Sequence, residues 1–194
     1  MLSHLGLLSE HAAKKFGEKE ALIFEEQSFS FRKLHDMVEK FGAGLISLGV
    51  KEKDVVTLYG SNSWEWIVSY FAIARIGAII NPVNTMLTPS EIIYVANDCG
   101  AKTIICSEDK IQALEDIRKH TQIRNIISFG QKSDEIQSLS SIIAKNFSID
   151  KQPNVSAKDL STIAYTSGTT GHPKGAMQSH EAVILNGSMT SQLH

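Results

Sequence analysis

The run Tyr165-Thr166-Ser167-Gly168-Thr169-Thr170-Gly171-His172-Pro173-Lys174-Gly175 brings together three glycines, four aliphatic hydroxyls and one lysine. A phosphate chain calls for that mixture. Gly168, Gly171 and Gly175 let backbone approach closely and adopt positive φ. Their N–H groups, with the hydroxyls of Thr166, Ser167, Thr169 and Thr170, can donate to phosphate oxygens. Lys174 adds a mobile positive charge, and Pro173 stiffens the turn that presents it. The apolar stretch Ser161–Tyr165 reads as a strand, so the loop is expected to leave a sheet, a common setting for ligand sites in α/β proteins.

The nearest generic pattern is the Walker loop, Gly-x-x-x-x-Gly-Lys-Ser/Thr. Aligned on Lys174, Gly168 fits the first glycine. Pro173 occupies the second glycine's position, and Gly175 replaces the hydroxyl that would hold magnesium. Gly175 is also a poor residue to open a helix. The run is therefore a phosphate loop of another kind. Ser/Thr/Gly-rich stretches are more often surface linkers, but here the glycines are ordered around a proline and a lysine and follow an apolar strand.

The run resembles the signature of adenylate-forming enzymes, the superfamily of acyl-CoA synthetases, luciferases and peptide-synthetase adenylation domains. It matches Tyr-Thr-Ser-Gly-Thr/Ser-Thr-Gly-x-Pro-Lys-Gly at every defined position. Weaker matches precede it in the family's order: Phe29-Ser30-Phe31 with Leu34; Gly49-Val50 with Asp54-Val55, where Lys53 replaces the usual second glycine; and Gly77-Ala78 with Asn81-Pro82 and Asn84. Ser179-His180 and Asn186 follow as the family has them. The resemblance is greatest to fatty-acid and other acyl-CoA synthetases.

The resemblance implies the chemistry. The loop would grip the β- and γ-phosphates of ATP while a carboxylate attacks the α-phosphorus, giving an acyl-adenylate and pyrophosphate. The thiol of coenzyme A would then displace AMP. The residues it assigns to the nucleotide are Thr166, Ser167, Gly168, Thr169, Thr170, Gly171 and Lys174, with Thr166 as the loop ligand of Mg²⁺. Residues 1–194 are expected to be the incomplete N-terminal part of the large AMP-binding domain. The ribose-binding region and the C-terminal domain with its catalytic lysine would lie elsewhere, so no catalytic residue is assigned here. The expected activity of the whole protein is that of an AMP-forming acid-thiol ligase acting on a medium- or long-chain fatty acid; the piece alone is expected to be inactive. An aryl-acid or amino-acid adenylating domain is the alternative within the class. A non-catalytic nucleotide-binding module is the alternative outside it, and a kinase-like P-loop enzyme is disfavoured by Pro173 and Gly175.

Composition agrees with a globular domain: 194 residues, 42% hydrophobic and 21% charged, are enough for one real core. A net charge of −2 gives no reason to expect nucleic acid or anionic membrane. The expected partners are ATP, the acid and coenzyme A, with a homodimer kept open. Cys99 and Cys106 lie in or beside an apolar stretch and read as buried thiols, suiting a reducing cytoplasm. The first residues lack the pattern of a signal peptide. The most apolar stretch, Trp64–Ile80, carries Glu65 and Arg75 and is too short to span a bilayer comfortably.

These residues need a scaffold, and the pattern supplies an α/β one with a mainly parallel sheet and flanking helices. Residues 21–24 and 28–30 read as a hairpin. Ser30 caps a helix with apolar residues at three- and four-residue intervals, closed by Gly49. Strands are read at 55–59, 78–80, 103–106 and 125–128, and helices at 3–16, 64–75 and 108–120. Another helix opens with the capping box Thr88-Pro89-Ser90-Glu91 and stops near Gly100. Residues 130–134 read as a loop and 150–159 as the connection into the signature strand. Ser179 caps a helix after the loop.

Several residues invite a chemical role and have a plainer one. Tyr165 reads as a packed strand aromatic, and His172 at the variable position has no assigned role. His180 reads as a structural hydrogen-bonding residue. Trp64, Trp66 and Phe71 read as core packing, and Asn81, Asn84 and Asn186 as partners of nearby backbone.

Overall fold

The computed structural model describes residues 2–130, 136–166 and 172–191. A short 3-10 turn, Leu5–Leu7, leads into α1 (Leu8–Phe16). The hairpin follows as β1 (Glu20–Phe24) and β2 (Gln27–Ser30), antiparallel around Glu25 and Glu26. Ser30 Oγ accepts from the Lys33 amide at 3.1 Å, satisfying an otherwise orphaned donor at the start of α2 (Phe31–Ser47). Gly49, at φ 85°, turns the chain out of that helix.

Next come β3 (Val55–Tyr59), α3 (Trp64–Arg75), β4 (Ile79–Pro82), α4 (Pro89–Asp98), β5 (Thr103–Cys106), α5 (Ile111–Lys119) and β6 (Asn125–Ser128). The capping box of α4 forms as expected. Glu91 N donates to Thr88 Oγ1, and Thr88 N donates to the Glu91 carboxylate at 2.8 Å. The two-residue β7 (Gln137–Ser138) and α6 (Leu139–Ala144) complete this half. The chain then crosses to β8 (Leu160–Thr166), β9 (Lys174–Ser179) and α7 (His180–Ser191).

Among the described residues, seven strands form one sheet in the order β7-β6-β5-β3-β4-β8-β9. Every neighbouring pair is parallel except β8 with β9. Side chains alternate across a strand, so adjacent isoleucines enter different cores. Ile105 and Ile127 join Phe41, Leu45, Ile73 and Leu139, supplied largely by α2, α3 and α6. Ile104 and Ile126 join Ile92, Val95, Leu114 and Ile117 of α4 and α5. The sheet thus lies between two helical layers, in agreement with the expected α/β class. Gly44 permits the close packing of α2 on α6, since a Cβ there would lie 2.0 Å from Ile142 Cγ2.

Arg75 shows why α3 is no membrane helix. It is almost wholly buried, and its guanidinium pairs with Glu39 of α2 and, at 3.3 Å, with Glu10 of α1. No helix among the described residues is long and apolar enough to cross a membrane.

Candidate functional site

Strand β8 carries the first part of the signature to the end of the sheet, and β9 carries the last part back. Thr166 and Lys174 form the final pair of this antiparallel ladder. Directly opposed residues share a face and stand about 5 Å apart at Cβ. Two candidate phosphate ligands eight positions apart in sequence are thereby brought side by side at the mouth of the loop. Ser167, Gly168, Thr169, Thr170 and Gly171 lie outside the described residues.

The strand after the loop was not legible in the sequence. Lys174-Gly-Ala-Met-Gln-Ser lacks both β-branched residues and alternation of apolar with polar positions. It becomes a strand because β8 offers it a complete hydrogen-bonding edge. A Walker loop would run directly into a helix, whose N-terminus adds partial positive charge. Here a strand intervenes and α7 starts only at His180. Lys174, loop amides and hydroxyls therefore remain as the groups available to an anion.

The adjacent pair, Tyr165 and Gly175, faces the opposite side. A Cβ on Gly175 would meet Ile163 Cγ2 at 2.9 Å and Tyr165 Cζ at 3.1 Å, so the missing side chain is what lets the ring lie across β9. The Tyr165 hydroxyl donates to the Asp98 carboxylate at the end of α4. Burial and the neighbouring Asp98 push the Tyr165 phenol well above its ordinary range, so it stays neutral and structural. His172 stacks on Tyr94 of α4 with ring centroids 4.6 Å apart and planes 15° apart.

Asn81 differs from its expected role. It is fully buried, and its partner is remote in sequence: Nδ2 donates to the Ile163 carbonyl at 2.9 Å. Its Oδ1 accepts from Thr57 Oγ1 at 3.1 Å and from Cys99 Sγ at 3.8 Å. Strands β4 and β8 pair at Ile80↔Thr162. Continued by two residues, this parallel ladder would have residue 82 donate to Ile163. Residue 82 is proline and has no N–H. The Asn81 side chain supplies the donor instead, and so ties the signature strand to the sheet. The Asn81-Pro82 dipeptide was the available signal. Asn84 behaves as expected, with Oδ1 accepting from the Met86 amide at 2.9 Å.

Behind the hairpin, Ser179 Oγ accepts from Ala182 N at 3.2 Å and caps α7. His180 is buried, and its Nδ1 accepts from the Leu5 amide at 3.2 Å, which fixes it as a neutral imidazole protonated on Nε2. Burial, reinforced by His4, holds its pKa down to about 4. The ring therefore pins the N-terminal turn to the base of α7. Trp64, Trp66 and Phe71 pack against the main core, with Trp64 on Phe29 at 5.5 Å between centroids and Trp66 stacked on Tyr70 at 5.2 Å. Burial pushes the Cys99 thiol up to about 11 and that of Cys106 up to about 12, so neither is a ready nucleophile.

No group of three or more His, Cys, Asp or Glu residues among the described residues could hold a metal ion. Thr166 is a single neutral hydroxyl, and Mg²⁺ releases its waters reluctantly. These residues do not constitute a resident magnesium site.

The sequence and the fold are similar to those of known proteins. The chain is 28% identical to the mitochondrial medium-chain acyl-CoA ligase ACSF2 of Mus musculus, over 97% of this chain and 35% of that one. It is 29% identical to a long-chain-fatty-acid–CoA ligase of Salmonella typhimurium, over 92% of this chain and 37% of the relative. The crystal structure of the anthranilate CoA ligase AuaEII in complex with anthranoyl-AMP superposes with a TM-score of 0.89 at 27% identity, covering 95% of this chain and 36% of that one. The chain thus spans little more than a third of the length of the relatives it matches. The family of AMP-binding enzymes matches residues 9–193, and the chain belongs to that family.

Proposed function

We propose that this chain is the N-terminal, phosphate-holding part of an ATP-dependent acyl-CoA ligase. The observation that carries the reading is the pairing of Thr166 with Lys174 across the mouth of the signature loop. In the whole protein, a carboxylate oxygen of the acid attacks the α-phosphorus of ATP. The bond from that phosphorus to the bridging oxygen breaks, and pyrophosphate leaves with the electron pair. Negative charge grows on the departing group. Lys174, the Thr166 hydroxyl, and the amides and hydroxyls of Ser167, Gly168, Thr169, Thr170 and Gly171 would hold it. Donors fixed in advance against developing charge give a large part of such acceleration. Coenzyme A then takes the acyl group by attack of its thiol on the mixed anhydride, releasing AMP.

Mg²⁺ would neutralise phosphate charge when bound to the nucleotide, and Thr166 is the oxygen of this chain proposed to touch it. Residues 1–194 are proposed as the first part of the large nucleotide-binding domain, with the ribose-binding region and the catalytic lysine in sequence outside it. The proposed substrate is a medium- or long-chain fatty acid, a reading supported by the acyl-CoA ligases among its relatives. An aryl acid is the second reading, favoured by the likeness to the anthranilate ligase. The cytoplasm is the proposed location, in keeping with two unpaired thiols.

The test is carboxylate-dependent exchange of labelled pyrophosphate into ATP by the complete gene product, with fatty, aromatic and amino acids offered in parallel. Exchange with fatty acids alone supports the reading. Exchange confined to aromatic acids moves the substrate to the second reading. Absence of exchange from folded, complete protein overturns the adenylation reading.

A further inference from the structure

We propose that the outer side of β9 and α7 is an internal joint, covered in the complete protein by a segment of the same polypeptide outside residues 1–194, a reading that rests on these residues being the first part of a longer nucleotide-binding domain. Two neighbouring elements point to it independently. In α7, Ala182, Val183, Ile184 and Leu185 are consecutive. Successive helical residues turn by about 100°, so these four reach almost all round the helix. A surface helix keeps one polar face, whereas a helix apolar all round is buried on more than one side. Among the described residues, one side of α7 is served. Val183 and Ile184 pack against the main core, while Leu185 is 44% exposed and Met189 67% exposed.

Strand β9 has the same character. It stands at the end of the sheet, six residues long and without proline, with Met177 70% exposed. Every second residue of an antiparallel strand turns its amide and carbonyl away from its partner, so β9 presents a row of these groups outward. Edges left to water are usually short or guarded by charge. Lys174 is the one charged residue of β9, and the function proposed above commits it to phosphate. Met177 is paired with Ile163 and so lies on the α4 side of the sheet, whereas α7 packs on the opposite side. Exposed apolar residues thus flank the edge on both faces.

The position of β9 favours the protein's own remainder as the occupant. The strand begins at Lys174, opposite Thr166, so a segment laid along it runs past the phosphate-holding pair. The chain covers 35% of the ACSF2 ligase and 37% of the Salmonella ligase. The ribose-binding region proposed to lie in the rest must come within reach of the same nucleotide. A covering segment from that remainder closes the edge and approaches the site together. A second copy would bring only what this chain already has.

The unmodified complete gene product carries its own reporters. Met177 and Met189 lie on the proposed joint, and Met37 is buried in the core as a standard. Peroxide converts methionine to its sulfoxide, and the rate follows access. It can be read residue by residue by peptide mass spectrometry, in native and in urea-unfolded protein. Leu185→Met, a swap close in volume, adds a third reporter on α7. All three are expected to oxidise at least about tenfold more slowly than in the unfolded protein, as for side chains reached only through local opening, and to stay slow on dilution. Faster oxidation at Met177 or Met189 overturns the proposal. So does protection that is lost on dilution, which would assign the face to a second copy, or a complete product of only 194 residues. Protection without pyrophosphate exchange upholds the joint and removes the adenylation reading. Exchange with both methionines open does the reverse.

Discussion

Asn81 gives the Ile163 carbonyl, through its side chain, the hydrogen bond that Pro82 has no amide to make, at 2.9 Å. This substitution of side chain for backbone occurs where β4 and β8 begin to part, three residues before the phosphate loop. Removing it leaves a half-buried carbonyl and the fully buried Thr57 hydroxyl without their partner.

Asn81→Ala is therefore expected to destabilise the fold by about 3 kcal/mol, the order of a buried unsatisfied polar group plus a small cavity. Pro82→Ala in the same chain restores a backbone N–H at the ladder position facing Ile163. The double variant should recover part of the loss, a coupling visible in urea unfolding midpoints. Additive losses would show that Asn81 does not stand in for the missing amide.

Lys53 holds φ 65° and donates from its amide to the Gly77 carbonyl at 2.8 Å. Glycine usually occupies this position in the resembling sequences, and the left-handed conformation explains why. The strain costs a lysine about 1–2 kcal/mol, and the added freedom of an unfolded glycine offsets about 0.5–1 kcal/mol. Lys53→Gly should raise stability by roughly 0.5–1 kcal/mol by this difference, seen as a higher Tm. A lower Tm would mean that the lysine side chain contributes more than its backbone costs.

Acid should loosen the joint between the N-terminal turn and α7. His180 is held to about 4 by burial and by His4, and His4 is lowered by burial and by Arg75. Both lie below the value of about 6.5 expected in the unfolded chain. The unfolded state thus binds protons that the folded state refuses. The His180 contribution to stability is flat above about pH 6.5 and falls as pH drops from there toward about 4, by up to about 1.4 kcal/mol per unit, and His4 acts in the same direction. His180→Asn keeps an acceptor for the Leu5 amide without a titrating ring, and should flatten the slope of unfolding free energy against pH. An unchanged slope would assign the acid sensitivity to other groups.

The sequence carried most of the frame because its signals were local. Ser30 and the Thr88–Glu91 box set two helix starts, Gly49 set one helix end, and the runs at 103–106 and 125–128 were short and apolar enough to be buried strands. The signals that failed were non-local. Strand β9 exists through its pairing with β8, and its exposed, mixed residues announce nothing on their own. Helix α6 is six residues long, too short for periodicity to reveal, although Ser138 ahead of Leu139, Ile142 and Ile143 was a usable cue. At the site, the residue types at 166–175 were plain. The juxtaposition of Thr166 with Lys174, and the reach of Tyr94 and Asp98 to the hairpin, depended on tertiary packing.

The most direct measurement is the rate of each half-reaction in the complete gene product carrying Lys174→Ala or Thr166→Ala. Adenylation would be followed by pyrophosphate exchange into ATP, and thioester formation by supplying the pre-formed acyl-adenylate with coenzyme A. If these two residues hold the departing pyrophosphate, adenylation slows by about 10²-fold, as for removal of one fixed donor from a developing anion, while thioester formation changes little. Equal slowing of both half-reactions, or slowing of neither, would contradict the account.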